Sequence, residues 1–294
     1  MTQVAFVSIV IPTYNRPQQL RACLEACAQL NYPRDRFELI VVDDGSATLL
    51  DEVVAPFHDR LALTLLRQEN KGPAAARNRG AAKAKGDILA FTDDDCLPAA
   101  AWLQALATRC AGMPGCAVGG STLNALPHNP FSTASQLLCT YIVSYYNAVP
   151  ESARFFPSNN LAFPAEGFRA VGGFDEAFGA AEDRELCDRW LYHGHRIVWA
   201  KEAVVYHAHN LTLRTFLRQH FHYGQGAFHF HVLRARRGQH GIRLEPAAFY
   251  VNMLLYPFEV AQPAKALLLA GLMGLSQVAS ALGLLRERAN RRAS

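Results

Sequence analysis

The sequence predicts an α/β protein built on an open, mostly parallel β-sheet with helices on both faces. Three apolar runs of strand length, at residues 7–11, 39–42 and 88–92, carry this prediction. Each run is continuous rather than alternating, which is typical of parallel strands that are buried on both faces. Each run also stops abruptly at polar residues, and helix-like patterns follow. Strands that alternate with helices favour a parallel sheet.

The segments after the first two runs have the spacing of amphipathic helices. Asn15 is the predicted N-cap of the first helix, and Ser46 is the predicted N-cap of the second. Apolar residues in both segments recur every three or four positions and are therefore expected to face inward. They are Leu20, Cys23, Leu24, Cys27 and Leu30 in the first helix, and Leu49, Leu50, Val53, Val54 and Phe57 in the second.

The composition limits the kind of protein. The chain has 294 residues, of which 50% are hydrophobic and only 18% are charged, so membrane contact is worth considering. The net charge of +4 is too small to indicate nucleic-acid binding, and we expect no nucleic-acid partner. The 7 cysteines include no CxxC pair, which is typical of reduced structural thiols in the cytosol. The first twelve residues lack the features of a secretory signal.

Polar residues follow all three apolar runs, at 12–15, 43–46 and 93–95. In an open parallel sheet these ends meet at one edge, where ligands bind. Five aspartates brought together there would repel one another, so we expect a divalent cation and a phosphate-bearing ligand. Carboxylate oxygens favour Mg²⁺ or Mn²⁺ over zinc. Alternatively, the three aspartates only begin a loop and cap a helix that starts near Pro98.

Four motifs occur in a fixed order along the chain. They are SIVIPTYNR at 8–16, VVDDGS at 41–46, NKGPAAARNRGAAKAKGD at 70–87 and FTDDD at 91–95. Together they resemble the family 2 glycosyltransferases, which have the GT-A fold, a Rossmann-like sandwich. The resemblance runs from residue 7 to about residue 209. It implies a nucleotide-sugar donor, with UDP preferred, and a Mn²⁺ or Mg²⁺ cofactor.

The resemblance assigns one group of residues to the nucleotide. Residues 12–14 would lie against the base, and Asp43 would accept a hydrogen bond from it. Lys71 and Arg77 would contact the nucleotide or its phosphates, although Arg77 is equally a helix residue that pairs with an acid. The whole group is Pro12, Thr13, Tyr14, Asn15, Asp43, Asp44, Lys71, Arg77, Asp93 and Asp94.

Asp93 and Asp95 match the outer acids of the DxD element of the family. By resemblance Asp95 ligates the metal that bridges the diphosphate, while Asp93 serves the ribose, the metal or both, and Asp94 takes the variable middle position. His207 follows an apolar strand at the place where some relatives contribute an imidazole to the metal. With Asp95 it would make a mixed oxygen and nitrogen site that Mn²⁺ accepts. The alternative role for His207 is a hydrogen-bonded structural one.

Residues 158–207 resemble the acceptor-side block of the family, with GGFDE at 172–176 followed by Glu182 and Asp183. By resemblance Asp183 is the general base that deprotonates the acceptor hydroxyl, and Glu182 orients the acceptor or sets the local field. Adjacent acids in an enclosed site raise the pKa of at least one of them, which makes a better base. Alternatively, the pair complements the dipole of a helix predicted at 183–193.

The C-terminal part of the chain predicts a helical region with membrane contact. Residues 211–244 contain six arginines, no acid and several aromatics. Residues 247–260 are apolar apart from Asn252 and Glu259, and residues 266–285 contain no charged residue. We expect a catalytic domain at 1–210, divided into a nucleotide-sugar-binding half at 1–120 and an acceptor-side half at 121–210, and a helical appendage at 211–294. The catalytic domain is expected on the cytoplasmic face of a membrane.

A single membrane crossing would separate the arginines near the C-terminus from a cytosolic catalytic domain, against the preference of positive residues for the cytoplasm. A re-entrant or two-pass hairpin that turns near Pro263, or helices that lie in the interface, avoids this conflict. The alternative is a packed helical appendage or an oligomer contact.

The resemblance implies an inverting transferase that moves the sugar to a hydroxyl of a glycan or a lipid-linked acceptor. One alternative is a polyprenyl-phosphate glycosyl synthase, whose phosphate acceptor needs no base. Another is a catalytically silent nucleotide-sugar-binding partner protein.

Overall fold

The structure of the protein, a computed structural model, describes residues 4–239, 241–242 and 244–293. The strands are β1 (Val7–Thr13), β2 (Phe37–Asp43), β3 (Leu63–Arg67), β4 (Ile88–Phe91), β5 (Cys96–Pro98), β6 (Ala117–Asn124), β7 (Leu161–Pro164) and β8 (Ile197–His207). The helices are α1 (Pro17–Cys27), α2 (Asp51–Val54), α3 (Pro73–Lys83), α4 (Trp102–Gly112), α5 (Pro130–Tyr146), α6 (Ala165–Ala170), α7 (Glu182–Tyr192), α8 (Leu213–Arg236), α9 (Ala247–Val260) and α10 (Pro263–Ala293).

The strands form one mixed sheet in the order β3-β2-β1-β4-β7-β6-β8-β5. The half that holds β1 to β4 is parallel, as the sequence predicts. The remaining half is antiparallel in its pairs β4–β7, β6–β7 and β5–β8. The parallel register places Thr13 beside Asp43 and Val10 beside Phe91, so β1, β2 and β4 end at the same edge.

The three strands predicted from the sequence are buried along their whole length, which explains their continuous apolar sequence, whereas β3 at the edge of the sheet is partly exposed. Every residue of β1, β2 and β4 is buried. Helix α1 packs Leu20 and Leu24 into this core, and α4 adds Trp102 and Leu106. Each such side chain contributes about 1.5–3 kcal/mol through its burial.

Both predicted helix caps are wrong, because the two residues bond to each other's turns instead. The backbone N–H of Asn15 donates to the Ser46 hydroxyl at 2.8 Å, and the Asn15 side-chain oxygen accepts from the N–H of Ala47 at 2.8 Å. Helix α1 therefore starts at Pro17, whose fixed φ suits the first turn of a helix.

The second helix is shorter than predicted. Helix α2 begins only at Asp51, and Leu49 is 63% exposed instead of facing inward. Near Pro98 the chain forms β5 rather than a helix, and α4 starts at Trp102. The three aspartates therefore do not cap a helix there.

The chain divides into two compact units. The first holds the described residues of Met1–Leu123, Tyr146–Ala177 and Asp183–Ala208, and it contains the sheet. The second holds the described residues of Asn124–Tyr145, Phe178–Glu182 and His209–Ser294. The predicted domain division at residue 210 remains a prediction.

The second unit is a helical assembly of α5, α8, α9 and α10. Its core contains Phe216 of α8, Met253 of α9, and Leu269 and Met273 of α10. Helices α9 and α10 correspond to the two apolar runs of the sequence. By length and composition alone, one helix in the described part of the chain, Pro263–Arg291, is suited to cross a membrane.

Candidate active site

The ends of β1 and β2 form the first wall of the candidate site. The Asp43 carboxylate is 1% exposed and accepts a hydrogen bond of 2.8 Å from the backbone N–H of Ser46. Gly45 adopts a φ of +85°, and a Cβ atom there would lie 2.9 Å from the backbone nitrogen of Asn70. Only glycine fits this position without strain. By contrast, Tyr14 is 48% exposed beside the same turn.

Asp44 holds the loop that precedes α3. Its carboxylate accepts hydrogen bonds from the backbone N–H groups of Lys71 at 2.9 Å and Gly72 at 2.8 Å, and from the side chain of Gln68 at 2.8 Å. The carboxylate is therefore engaged within the protein, and the side chain of Lys71 is exposed. Asp44 thus positions the backbone of the NKG motif next to the strand ends.

Each of the three aspartates after β4 contacts a different helix or strand. Asp93 lies 2.7 Å from the guanidinium of Arg77, which is 4% exposed on α3. Asp94 accepts a hydrogen bond of 2.7 Å from the Thr13 hydroxyl. Asp95 lies 3.2 Å from the Nε2 atom of His207, the last residue of β8. The DDD segment thus joins β1, α3 and β8 at one edge of the sheet.

Arg16 is the site residue that sequence reasoning missed. Its guanidinium lies 3.2 Å from a carboxylate oxygen of Asp94 and 3.0 Å from one of Asp95. Its positive charge offsets part of the repulsion among the three carboxylates. The signal was present in the sequence, because Arg16 directly follows Asn15 at the end of the PTYNR motif.

The crowding shifts the protonation of these groups. Burial, reinforced by the charges of Asp95 and Asp93, raises the pKa of Asp94 to about 6, although Arg16 and the Thr13 hydroxyl oppose the rise. Burial lowers the pKa of His207, but its hydrogen bond to Asp95 and the nearby carboxylate charges outweigh burial and raise it above its ordinary value. The carboxylate charges at this edge of the sheet therefore favour the protonated forms of Asp94 and His207.

A candidate metal site lies at this edge. Ligand atoms of Asp95, Cys96 and His207 all lie within 4.8 Å of one another. Burial and the charges of Asp93 and Asp95 raise the pKa of the Cys96 thiol well above its ordinary value. Sulfur is also a soft donor, which Mg²⁺ and Mn²⁺ accept less readily than carboxylate oxygen. The usable donors are a carboxylate oxygen and an imidazole nitrogen, a set that suits Mn²⁺. Asp93 lies outside this cluster.

A second residue that sequence reasoning missed, Asn78 on α3, ties the GGFDE loop to the same region. Its side-chain oxygen accepts from the N–H of Phe174 at 2.8 Å, and its side-chain nitrogen donates to the carbonyl of Phe174 at 2.8 Å and to Glu176 at 2.9 Å. The guanidinium of Arg77 also lies 5.5 Å from the Phe174 ring centroid. Helix α3 thus links the aspartates to the predicted acceptor loop.

Glu182 and Asp183 open helix α7, where their charges suit the positive end of the helix dipole. Glu182 is buried, with 8% of its surface exposed. The Asp183 carboxylate accepts hydrogen bonds from the N–H of Ser158 at 3.3 Å and of Arg184 at 2.7 Å. Ser158 is the first residue of the acceptor-side block, so this hydrogen bond joins the start of the block to Asp183. The dipole interaction and a catalytic role are compatible.

Comparison with known families decides which family this is. Residues 8–163 match the model of glycosyl transferase family 2. The chain belongs to this family. Residues 130–285 also match the model of glycosyl transferase family group 2, which includes most of the C-terminal helices. The resemblance seen in the sequence motifs is confirmed, and the protein is a family 2 glycosyltransferase.

Curated proteins similar to this glycosyltransferase are also named glycosyltransferases. Glycosyltransferase AglE of Haloferax volcanii is 28% identical over 224 residues, which cover 75% of this chain and 72% of AglE. The pre-mycofactocin glycosyltransferase of Mycobacterium tuberculosis is 31% identical over 227 residues, which cover 75% of this chain and 46% of that protein. The chain thus spans under half of the second relative.

Solved structures confirm the expected fold of this glycosyltransferase. The mannosyltransferase PcManGT from Pyrobaculum calidifontis, in complex with GDP-Man and Mn²⁺, aligns with a TM-score of 0.68 at 22% identity, over 97% of this chain and 88% of that one. S. aureus TarS 1–349 in complex with UDP-GlcNAc aligns with a TM-score of 0.55 at 18% identity, over 98% and 92%. The likeness extends over nearly the whole chain and confirms the GT-A fold.

Proposed function

We propose that this family 2 glycosyltransferase transfers a sugar from a nucleotide-sugar donor, with UDP preferred, at the edge where β1, β2 and β4 end. The observation that carries the proposal is the arrangement of Asp43, the DDD segment, Arg77 and His207 around one sheet edge. Two proteins of similar fold were solved with GDP-Man and with UDP-GlcNAc. The nucleotide role of residues 12–15, Asp43, Asp44 and Lys71 remains part of this proposal.

Mn²⁺ or Mg²⁺ is the proposed cofactor, and the donor atoms present fit it. Asp95 would hold the ion, with His207 and Asp93 as further ligands; His207 already lies beside Asp95, whereas Asp93 lies outside that cluster and contacts Arg77 through one carboxylate oxygen. The bound ion would neutralise the diphosphate of the donor and the charge that builds on the leaving nucleotide. The mixed carboxylate and imidazole set favours Mn²⁺.

Asp183 is the proposed general base of the reaction. It would take the proton from the acceptor hydroxyl as that oxygen forms a bond to the anomeric carbon and the bond to the nucleotide diphosphate breaks. A direct displacement of this kind inverts the anomeric centre. The hydrogen bond from Ser158 fixes the carboxylate, and Glu182 beside it would orient the acceptor. The proposed acceptor is a hydroxyl of a glycan or of a lipid-linked sugar.

We place the reaction on the cytoplasmic face of a membrane. The apolar helix Pro263–Arg291 supports membrane contact. None of the seven cysteines, all of which lie in the described part of the chain, forms a disulfide bond, which is compatible with a reducing compartment.

A thermal-shift panel tests the donor and the cofactor together. The protein would be melted with each of several nucleotide sugars, with and without Mn²⁺. We expect one donor to raise the melting temperature only when the metal is present, because metal and diphosphate share a site. A rise of equal size without metal, or with every nucleotide alike, would contradict the proposal. Product formation from that donor then separates an enzyme from a silent binding protein.

A further inference from the structure

We propose that α9 and α10 lie flat in the surface of an anionic membrane and do not cross it. The proposal concerns an apolar face, which we define by Val251, Leu255 and Phe258 of α9 and Leu268, Val278 and Leu282 of α10. Each of these six side chains is between 47% and 55% exposed. The proposal does not depend on the identity of the donor or the acceptor.

Helix α10 is apolar on its outward side over most of its length. Between residues 264 and 285, Lys265 is the only charged residue. The outward residues there include Leu267 at 69% exposure and Leu275 at 40% exposure. Twenty-two helical residues make a strip about 33 Å long. Exposed apolar patches of this extent mark contact with a membrane or with another protein.

The inward side of α10 packs so closely against α8 that backbone atoms of the two helices are in contact. A Cβ atom at Gly224 of α8 would lie 1.9 Å from the carbonyl oxygen of Ser280, and one at Gly283 would lie 2.0 Å from the carbonyl oxygen of Phe221. The Ser280 hydroxyl donates to the carbonyl of His220 at 3.0 Å. Helix α10 therefore has one covered side and one open side, and α8 accompanies it.

Helix α8 is too polar to follow α10 through hydrocarbon. Arg214, Arg218 and His222 are exposed on α8. Near the far end of α10, Glu287 bonds to the Gln225 side chain at 3.0 Å and lies 3.2 Å from the His229 ring nitrogen. A charged arginine side chain is strongly disfavoured at the centre of a bilayer. An orientation in the membrane plane keeps these groups in water or among headgroups.

Cations at both ends of the α10 strip fit anionic headgroups. Lys265 lies at its start, and the exposed Arg286 and Arg288 lie at its end. A two-fold contact between two copies along α10 would set the two helices either parallel or antiparallel. In the parallel case Lys265 would face Lys265 and Arg286 would face Arg286, and in the antiparallel case Lys265 of one copy would approach Arg286 and Arg288 of the other. Both pairings bring like charges together, whereas cations beside an anionic lipid surface strengthen binding. A lipid surface is therefore the better occupant than a second copy.

Flotation of the full chain with vesicles tests the surface. Binding is expected with vesicles of phosphatidylcholine and phosphatidylglycerol, and weaker binding with phosphatidylcholine alone or at high salt. The triple variant Leu268→Gln, Val278→Gln and Leu282→Gln should lose at least about tenfold in binding, because it removes buried apolar area in the interface. Leu49→Gln changes a leucine of the first unit that is at least as exposed, at 63%, and should bind normally. Circular dichroism verifies that both variants are folded.

Two outcomes would overturn the proposal at this stage. One is unchanged flotation of the triple variant. The other is a stable dimer in solution that the triple variant dissociates, since a second copy would then cover the face. Because no donor or acceptor is present, either outcome leaves the proposed transferase reaction untouched.

Depth measurements distinguish a helix in the plane from one that crosses. Single cysteines replace Leu268, Leu275 or Leu282 in a Cys139→Ser background, because the other six native cysteines are buried. Nitroxide labels at the three sites should report the same shallow depth. In a crossing helix the outer two sites, fourteen residues apart, would differ in depth by about 21 Å. A depth gradient of that kind would refute the in-plane orientation.

Discussion

The Nε2 atom of His207 lies 3.2 Å from a carboxylate oxygen of Asp95. The pairing of β5 with β8 creates this contact, because its register sets Cys96 opposite His207. The antiparallel half of the sheet thus completes a site that the parallel half begins. A histidine far away in the sequence becomes the immediate neighbour of the last residue in the DDD segment.

Substitution at this contact should remove metal-dependent turnover. We expect Asp95→Asn to lower kcat by about 10³-fold, because the diphosphate would lose its charge-neutralising ion. His207→Gln should weaken Mn²⁺ more than Mg²⁺, since imidazole nitrogen favours the softer ion. Electron paramagnetic resonance titration of Mn²⁺ and steady-state rates measure both effects. Asp51→Asn, at the start of α2, is the control, and full activity of Asp95→Asn would disprove the metal assignment.

Arg16 should compete with the metal for Asp95. Replacing this cation, which lies 3.0 Å from the carboxylate, by glutamine is expected to tighten Mn²⁺ binding in the absence of nucleotide. Because Arg16 is partly exposed, solvent screening limits the gain to about three- to tenfold. Calorimetry of metal binding to Arg16→Gln measures it, with Arg21→Gln on α1 as the control. Weaker binding by Arg16→Gln would show instead that Arg16 organises the ligands.

Asp183→Asn should separate donor binding from transfer. The amide keeps the shape of the carboxylate but accepts no proton, so we expect a fall in kcat of about 10²–10⁴-fold with an unchanged Kd for the donor. Donor binding by thermal shift and product formation measure the two quantities. Asp188→Asn on the same helix is the control. Transfer that survives in Asp183→Asn would point to an acceptor that needs no base, such as a polyprenyl phosphate.

Asn78→Ala should loosen the GGFDE loop. The variant loses two hydrogen bonds to the backbone of Phe174 and one to Glu176, which together are worth about 2–3 kcal/mol of stability. Urea unfolding measures the loss, and Asn31→Ala at an exposed position is the control. If the loop forms part of the acceptor site, KM for the acceptor rises more than KM for the donor. A loss below the error of the measurement would show that the loop is held by other contacts.

His220 should make the second unit sensitive to acid. Burial, together with the charge of His209, lowers the pKa of His220 to about 4, against an ordinary value of 6.5. Between these two pKa values the folded state binds fewer protons than the unfolded state. The free energy of unfolding is therefore unaffected by His220 above pH 6.5 and decreases as the pH falls towards 4. The loss amounts to about 3 kcal/mol. His220→Phe should flatten the unfolding free energy between these pH values, whereas the exposed His58→Gln should not.

Local patterns allowed the parallel half of the fold to be predicted, and contacts across the chain explain the rest. Strands β1, β2 and β4 can be recognised in the sequence because strands that are buried on both faces need unbroken apolar runs. The roles of Asn15 and Ser46 were missed because these residues bond to each other's turns, which no spacing along the chain reveals. Asn78 was missed for the same reason, since its partners lie in a distant loop.

The backbone contact between α8 and α10 makes the last helix part of the folded interior of its unit. Truncation before Pro263 would remove the helix that covers the glycines of α8, Phe216 and Met253. These residues would then be exposed to solvent, and the truncated protein is expected to aggregate. The tail is thus no detachable anchor, and whatever holds it at a membrane also holds the helical unit there.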